Sequence, residues 1–225
     1  MNKTIMNWLD KLFREEILKL EDKKEVVVLD VGAGIVKYIN FRDIFQEVVG
    51  IDPDERVVEN PYLHKGYIGL ADSMPFLRIE SLILLFQIMY LNMWTIQKYF
   101  SMKYLEYSSM VGILMAKTPN KYHYMPLIDR YTPTWFHKFY NKLRGRESED
   151  SFPRRYLLNS MRDQSLIAQN SGFKVEWINS YKGRPEYLRL FFLAYIVGII
   201  HEIVVNALNI NQAKILLISK FKKEL

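Results

Sequence analysis

The chain of 225 residues contains no cysteine. That excludes a disulfide framework, a thiolate metal centre and a cysteine nucleophile, and it suits an intracellular enzyme. Asp10 already interrupts the N-terminal stretch and no continuous apolar core precedes it, so no secretory leader is expected. Long apolar runs are scarce too. The longest uncharged one covers residues 190–200, short of the roughly 20 residues a spanning helix needs, so no transmembrane segment is expected. Neither sign of charge dominates: 31 Lys and Arg stand against 25 Asp and Glu, for a formal net charge of +6. Such a balance permits contact with nucleic acid or an anionic membrane and specifies neither. The length suits a single α/β domain with a covered core.

Residues 26–34, Val-Val-Val-Leu-Asp-Val-Gly-Ala-Gly, carry a buried-strand signature straight into a tight turn at Gly32 and Gly34. Lacking Cβ atoms, these glycines let backbone N–H groups come close to a ligand. Asp30 stands where the strand ends, and in open α/β sheets ligands bind beyond the carboxyl ends of strands. An amphipathic helix over 1–20 precedes the strand, with Ile5, Trp8, Leu12, Phe13, Ile17 and Leu20 at helical spacing. A helix is predicted over 35–45 and a second strand over 47–52, which ends in Asp52 and is stopped by Pro53. The second acid follows the first motif by roughly 20 residues, the spacing at which a carboxylate accepts both hydrogen bonds of a ribose diol.

The glycine count separates two cofactor classes. A dinucleotide fingerprint would place a third glycine where Lys37 stands, and a long side chain there obstructs close packing of helix against pyrophosphate. That counts against NAD and leaves S-adenosylmethionine. Val-Leu-Asp-Val-Gly-Ala-Gly at 28–34, Val-Gly-Ile-Asp-Pro at 49–53 and Gly-Leu-Ala-Asp-Ser-Met-Pro-Phe at 69–76 resemble, in order and spacing, the first three motifs of class I S-adenosylmethionine-dependent methyltransferases. The resemblance implies an α/β fold, a Rossmann-like three-layer sandwich. Its sheet would be mostly parallel and seven-stranded, with the last strand antiparallel and a C-terminal helical insertion added. It implies S-adenosylmethionine as cofactor, held by Asp30, Gly32, Ala33, Gly34, Asp52, Pro53, Asp72 and Ser73, with Asp72 near the adenine ring. Ile35 and Val36 depart from the pattern, because the family often has another glycine just past Gly34 and these side chains narrow the turn.

The resemblance resumes past residue 112. Gly-Ile-Leu-Met-Ala-Lys-Thr-Pro-Asn at 112–120 looks like the fifth strand and its loop, followed by Lys121, Tyr122, His123 and Tyr124. Residues 159–173 read as a capped helix ending at Gly172, leading into a strand at 174–177, and the last strand is expected over 213–219. The whole of 1–225 is expected to be one domain: an N-terminal helix at 1–20, a cofactor half at 25–76, an anomalous segment at 77–111 and a substrate-side half at 112–225.

Between 77 and 111 the family pattern is missing. A Phe-Asp-Leu-Val strand, a Glu-His pair and a Lys-Pro-Gly-Gly turn belong there, and the chain gives Leu-Ile-Leu-Leu-Phe-Gln-Ile-Met-Tyr-Leu-Asn-Met-Trp at 82–94. The genetic code offers an account. If the last base of each codon is joined to the first two of the next, Met89-Tyr90 must yield Val, Trp94-Thr95 Asp, Met102-Lys103 Glu and Met110-Val111 Gly. The unforced positions then allow a continuous reading that contains Phe-Asp-Leu-Val, Glu-His and Gly-Gly. Segment 77–111 is therefore expected to be frameshifted relative to the family, between two compensating shifts; true divergence is the alternative. Its apolar run still suits the fourth strand's place, since composition alone satisfies a buried strand. The acid and histidine that face cofactor and substrate in the family are absent.

Methyl transfer from a sulfonium is an in-line displacement, so a base is needed only where the acceptor must lose a proton. The catalytic residue is not legible; His123 is a weak candidate base, and a packing role fits a histidine between two tyrosines better. Substrate-side candidates are His123, Tyr124, Arg155 and Tyr156, and no metal is expected. A basic cluster of His137, Lys138, Lys142, Arg144, Arg146, Arg154 and Arg155 suits a phosphorylated or acidic acceptor or, since Glu147, Glu149 and Asp150 interrupt it, a solvated face. Residues 187–208 are apolar nearly all round. They fit a buried or dimer-forming helix, a lid, or a patch seated in a membrane interface. The expected partner is a small-molecule, saccharide or lipid-linked acceptor, in a cytoplasmic or membrane-associated setting. An RNA methyltransferase is the first alternative, although no Asn-Pro-Pro-Tyr type loop is present. A catalytically silent protein that keeps the fold is the second.

Overall fold

Strand β1 (Val27–Val31) is buried at all five positions, as a strand covered on both faces must be. The computed structural model describes residues 3–20, 26–34, 40–69, 82–87, 111–133, 159–183, 188 and 191–223. Around β1 these residues build β2 (Glu47–Asp52), β3 (Lys65–Ile68), β4 (Leu82–Gln87), β5 (Val111–Pro119), β6 (Phe173–Tyr181) and β7 (Leu216–Lys223). They form a seven-stranded sheet in the order β3-β2-β1-β4-β5-β7-β6. β1 pairs in parallel with β2 and β4, and β4 with β5. β7 runs antiparallel to both β5 and β6. β4 lies on the far side of β1 from β2 and β3, so the strand order reverses between β1 and β4, where an open α/β sheet leaves its crevice.

Four helices lie among the described residues: α1 (Lys3–Leu18), α2 (Tyr124–Tyr131), α3 (Met161–Asn170) and α4 (Phe192–Ala207). α1 buries Phe13 and Ile17 fully, and they join Val28, Phe41, Met115 and Ile218 in one core. α3 follows the sequence closely. Ser160 caps it by accepting from the Asp163 N–H, and Gly172 beyond its end takes φ 73°, a left-handed conformation that favours glycine. α4 occupies the excursion between β6 and β7.

Several boundaries differ from the sequence expectation. The helix predicted over 35–45 is not formed over 40–46, which turn instead, while 35–39 fall outside the described residues. Asn40 explains it: its Oδ1 accepts from the Arg42 N–H and its Nδ2 donates to Asp43, a local alternative to helical hydrogen bonds. β3 was not anticipated, because Lys-Gly-Tyr-Ile is too short and too exposed to alternate clearly. β7 begins three residues later than expected and runs to Lys223, because β5 and β6 give it partners on both sides along that length. Within the anomalous segment, the apolar run does take the fourth strand's place: Leu82–Gln87 lie between β1 and β5. Residues 77–81 and 88–110 fall outside the described residues.

Candidate active site

The parallel strands β1, β2, β4 and β5 present their carboxyl ends along one edge of the sheet. At the end of β1, Gly32 and Gly34 both take positive φ, 77° and 53°. The Gly32 and Ala33 N–H groups donate to the Ile51 carbonyl at 2.9 and 3.2 Å, which ties the turn to β2. Among the described residues, a Cβ placed on Gly34 would meet nothing within 4 Å, so its backbone conformation, not crowding by them, calls for glycine there. Asp30 is buried beneath the turn.

Asp52 ends β2 beside this turn. Its Oδ2 accepts from the Gly34 N–H at 2.9 Å, and its Oδ1 accepts from the Asp54 N–H at 2.9 Å. The carboxylate is half-buried, and each oxygen keeps acceptor capacity beyond these bonds. Pro53 follows, exposed, and starts the loop into a short 3₁₀ turn at Glu55–Glu59. The next contributor belongs to none of the sequence motifs. Asn60, buried, donates through Nδ2 to the Gly34 carbonyl at 2.7 Å and accepts at Oδ1 from the Tyr62 N–H at 3.0 Å. It holds the far side of the turn through carbonyls, as Asp52 holds the near side through an N–H. Asparagine supplies both a donor and an acceptor on one short side chain, which is the only signal that points to it. Asp72, Ser73 and Lys37 lie outside the described residues.

A second constellation stands at the carboxyl end of β5, two strands from β1 and so roughly 10 Å away at ordinary strand spacing. The Thr118-Pro119-Asn120 loop is fixed on every side. Gln164 Nε2 donates to Thr118 Oγ1 at 2.9 Å, Asn159 Nδ2 to the Pro119 carbonyl at 2.8 Å, and Asn120 Nδ2 to the Gln212 carbonyl at 2.8 Å. Lys121 pairs with Asp163 of α3. His123 then caps α2 and is fully buried: its Nδ1 accepts from the Met125 N–H at 3.2 Å, and its Nε2 lies 2.9 Å from Glu202 Oε1 of α4. An Nδ1 that accepts leaves the ring proton on Nε2, which donates it to the Glu202 carboxylate. Both ring nitrogens are thus engaged, and His123 acts here as a cap and as a bridge from the β5 loop to α4.

His201 and Tyr124 complete the group. The His201 ring packs edge-on against His123 and Tyr124, with centroids 5.5 and 5.0 Å apart, and His123 lies 4.2 Å from Tyr124. His123, His201 and Glu202 offer ligand atoms within 4.8 Å of one another. A cation at His123 Nε2 would force the ring proton onto Nδ1, facing the Met125 N–H, so these three residues serve better as a latch than as a metal centre. The sequence points to His123 and Tyr124 and not to Glu202 and His201, which are far away in the chain and sit on a helix that reads as uniformly apolar. Arg155, Tyr156 and the basic cluster at 137–155 lie outside the described residues.

Burial pushes the His123 pKa down; the Glu202 carboxylate opposes that shift and His201 adds to it. A folded-state pKa below the unfolded value means that the unfolded chain takes up a proton first as pH falls. The stability this neutral histidine contributes is complete above about pH 6.5 and is lost as pH drops toward the lower folded value. Thermal midpoints measured at pH 7.5 and 5.5 are expected to fall more in the wild type than in His123→Gln, which carries no ionisable group at that position. Equal falls in the two proteins would contradict the assignment.

No family model matches the chain, and no curated protein is similar to it. Solved structures are. An S-adenosylmethionine-dependent methyltransferase from Archaeoglobus fulgidus superposes with a TM-score of 0.55 at 14% identity, over 97% of this chain and 94% of that one. One from Mesorhizobium loti gives 0.52 at 12% identity, over 97% and 98%. The geranyl diphosphate C-methyltransferase of Streptomyces coelicolor, solved with Mg2+, geranyl diphosphate and S-adenosylhomocysteine, gives 0.52 at 12% identity, over 95% and 77%. At such identities the likeness is one of fold, and it extends over nearly the whole chain.

Proposed function

We propose that this chain, which has the class I methyltransferase fold, binds S-adenosylmethionine and transfers its methyl group to a small-molecule or saccharide- or lipid-linked acceptor. The observation that carries this reading is the pairing at the sheet edge. A glycine turn, whose Gly34 no described residue crowds, is held by the same Asp52 carboxylate that a ribose diol would meet. Gly32, Ala33 and Gly34 would lie under the methionine end, Asp52 would take the ribose hydroxyls, and Asp72 and Ser73 would border the adenine. Bound S-adenosylmethionine supplies an electrophilic methyl on a sulfonium, and the chain's own task is to align an acceptor with it and to exclude water.

On the acceptor side, the described residues that would face an acceptor are those of the β5 loop and Tyr124, with His123 held to α4 through Glu202. A neutral amine would require no base for the displacement, whereas an alkene carbon that takes the methyl becomes a carbocation and must then lose a proton to a base. The Streptomyces coelicolor protein acts on geranyl diphosphate, and an acceptor with a comparably apolar hydrocarbon tail is compatible with the hydrophobic α4 beside this site.

Isothermal titration with S-adenosylmethionine and with S-adenosylhomocysteine tests the reading. Binding of either below millimolar concentration is expected. No heat at millimolar ligand would favour the silent protein, for which one observation speaks: residues 77–111 lack the acid and histidine that the methyltransferase pattern places there. We infer that this segment is read out of frame. Resequencing the gene should reveal two compensating shifts, and a clean read of an unbroken frame would overturn that inference.

A further inference from the structure

Helix α4 carries most of its apolar side chains outward. Phe192 and Leu193 are 75% and 76% exposed, and Val197, Ile200, Ile203 and Val204 are exposed with them. At 100° per residue these six fall within an arc of roughly 140°, opposite the inward-facing Gly198, Glu202 and Val205. A soluble protein ordinarily gives such an arc to polar residues. From 190 to 213 the only Lys, Arg, Asp or Glu is Glu202, and it is turned inward onto His123. Arg189 and Lys214 bracket the stretch in sequence, and the chain as a whole carries +6.

The topology places this face on a particular side of the molecule. Pro119 at the end of β5 and Tyr181 at the end of β6 both pair with Leu216 at the start of β7. The excursion over 182–215 therefore leaves and rejoins the sheet at the edge where the Gly32 to Gly34 turn lies. The His123 to Glu202 bond fixes α4 there.

We propose that α4 seats the protein on an anionic lipid surface, lying in the plane of the interface with its exposed apolar face in the headgroup boundary and the sheet edge of the glycine turn facing the bilayer. Length supports lying over spanning: 16 residues make a helix of about 24 Å, less than the ~30 Å hydrocarbon core. No helix among the described residues is long and apolar enough to cross a membrane. The width of the arc favours lipid over a second copy of the chain, because a paired-helix seam uses a narrower stripe flanked by charged residues that set register. The charge supports an anionic surface: the chain is net positive, and Arg189 and Lys214 flank the otherwise apolar stretch in sequence, so attraction to such a surface is salt-dependent.

Flotation of the full chain with vesicles tests this, using phosphatidylcholine alone and phosphatidylcholine with about one-third phosphatidylserine. The protein is expected to float with the mixed vesicles, much less with the neutral ones, and less again at high salt. Phe192→Ser with Leu193→Ser, both at exposed positions, should reduce flotation at least about tenfold while leaving the thermal midpoint unchanged. Lipid seating requires no methyl-transfer chemistry, and titration of the same variant with S-adenosylmethionine reports the cofactor site separately. Absence of flotation, or flotation unchanged in the double variant, would overturn the proposal. So would sedimentation as a stable dimer that the same two substitutions dissociate, which would make the face an interface between copies.

Discussion

Replacing Asp52 with Ala is expected to weaken S-adenosylmethionine binding about 100-fold. A hydrogen bond to a charged group contributes about 1.5–3 kcal/mol, and a ribose diol would make two to this carboxylate, so the loss is about 3 kcal/mol or two factors of ten. The same side chain also closes the glycine turn, since it accepts from the N–H groups of Gly34 and Asp54. Loss of affinity would therefore combine missing ribose contacts with a looser cradle. Asp52→Asn separates the two contributions. The amide keeps the shape but has one acceptor oxygen where both carboxylate oxygens accept a backbone N–H, so one N–H would face an NH2 group. An intermediate loss of about tenfold is expected for that variant. Isothermal titration, with thermal melts to show that both variants fold, is the measurement. Affinity within threefold of wild type in Asp52→Ala would remove this residue from the cofactor site.

Gly66→Ala should cause the largest loss of stability from a single methyl group. A Cβ at this position would lie 2.2 Å from the Val57 carbonyl oxygen and 2.8 Å from its carbon, both backbone atoms that no rotamer change can clear. Relief requires β3 or the Glu55–Glu59 turn to move as a unit. Overpacking of this kind costs about 3 kcal/mol, which for a chain of this size lowers the thermal midpoint by about 10 °C. The consequence reaches the cofactor site, because Asn60, which follows the displaced turn, holds the Gly34 carbonyl. Cofactor affinity is thus expected to fall even at temperatures where the variant remains folded. Gly34 behaves differently: a Cβ there meets none of the described residues within 4 Å, and the φ of 53° is what penalises it. A Gly66→Ala melt within 2 °C of wild type would contradict the packing around β3.

The parts of the fold that were legible from the chain are those specified by local pattern. β1 is a run of β-branched and aliphatic residues buried on both faces, β2 ends where Asp52 and Pro53 end it, and α3 has its own cap and its own terminating glycine. The segments that were not legible are those in which a side chain or a partner strand overrides the pattern of apolar spacing. Residues 40–46 turn because Asn40 offers the backbone other partners, and β3 exists because the edge of β2 accepts it. The run at 82–87 illustrates the converse: whatever the origin of its text, apolar composition suffices to fill a strand between β1 and β5.

By itself the sequence determined the strands at 27–31 and 47–52, the acids at their ends and the glycine turn after the first, since strand burial, left-handed turns and strand ends are set by neighbouring residues. Tertiary structure alone decided what holds that turn and what faces it. Asn60 reaches the glycine turn from 26 residues away, and Glu202 meets His123 across 79 residues. It alone decided, too, which way the apolar helix turns. Residues 187–208 read as apolar nearly all round; burial of Glu202 on one side sends Phe192, Leu193 and Val197 outward on the other. A hydrophobic pattern states that a face must be covered, and only the packing of distant elements fixes which face is left open and at which edge of the sheet it stands.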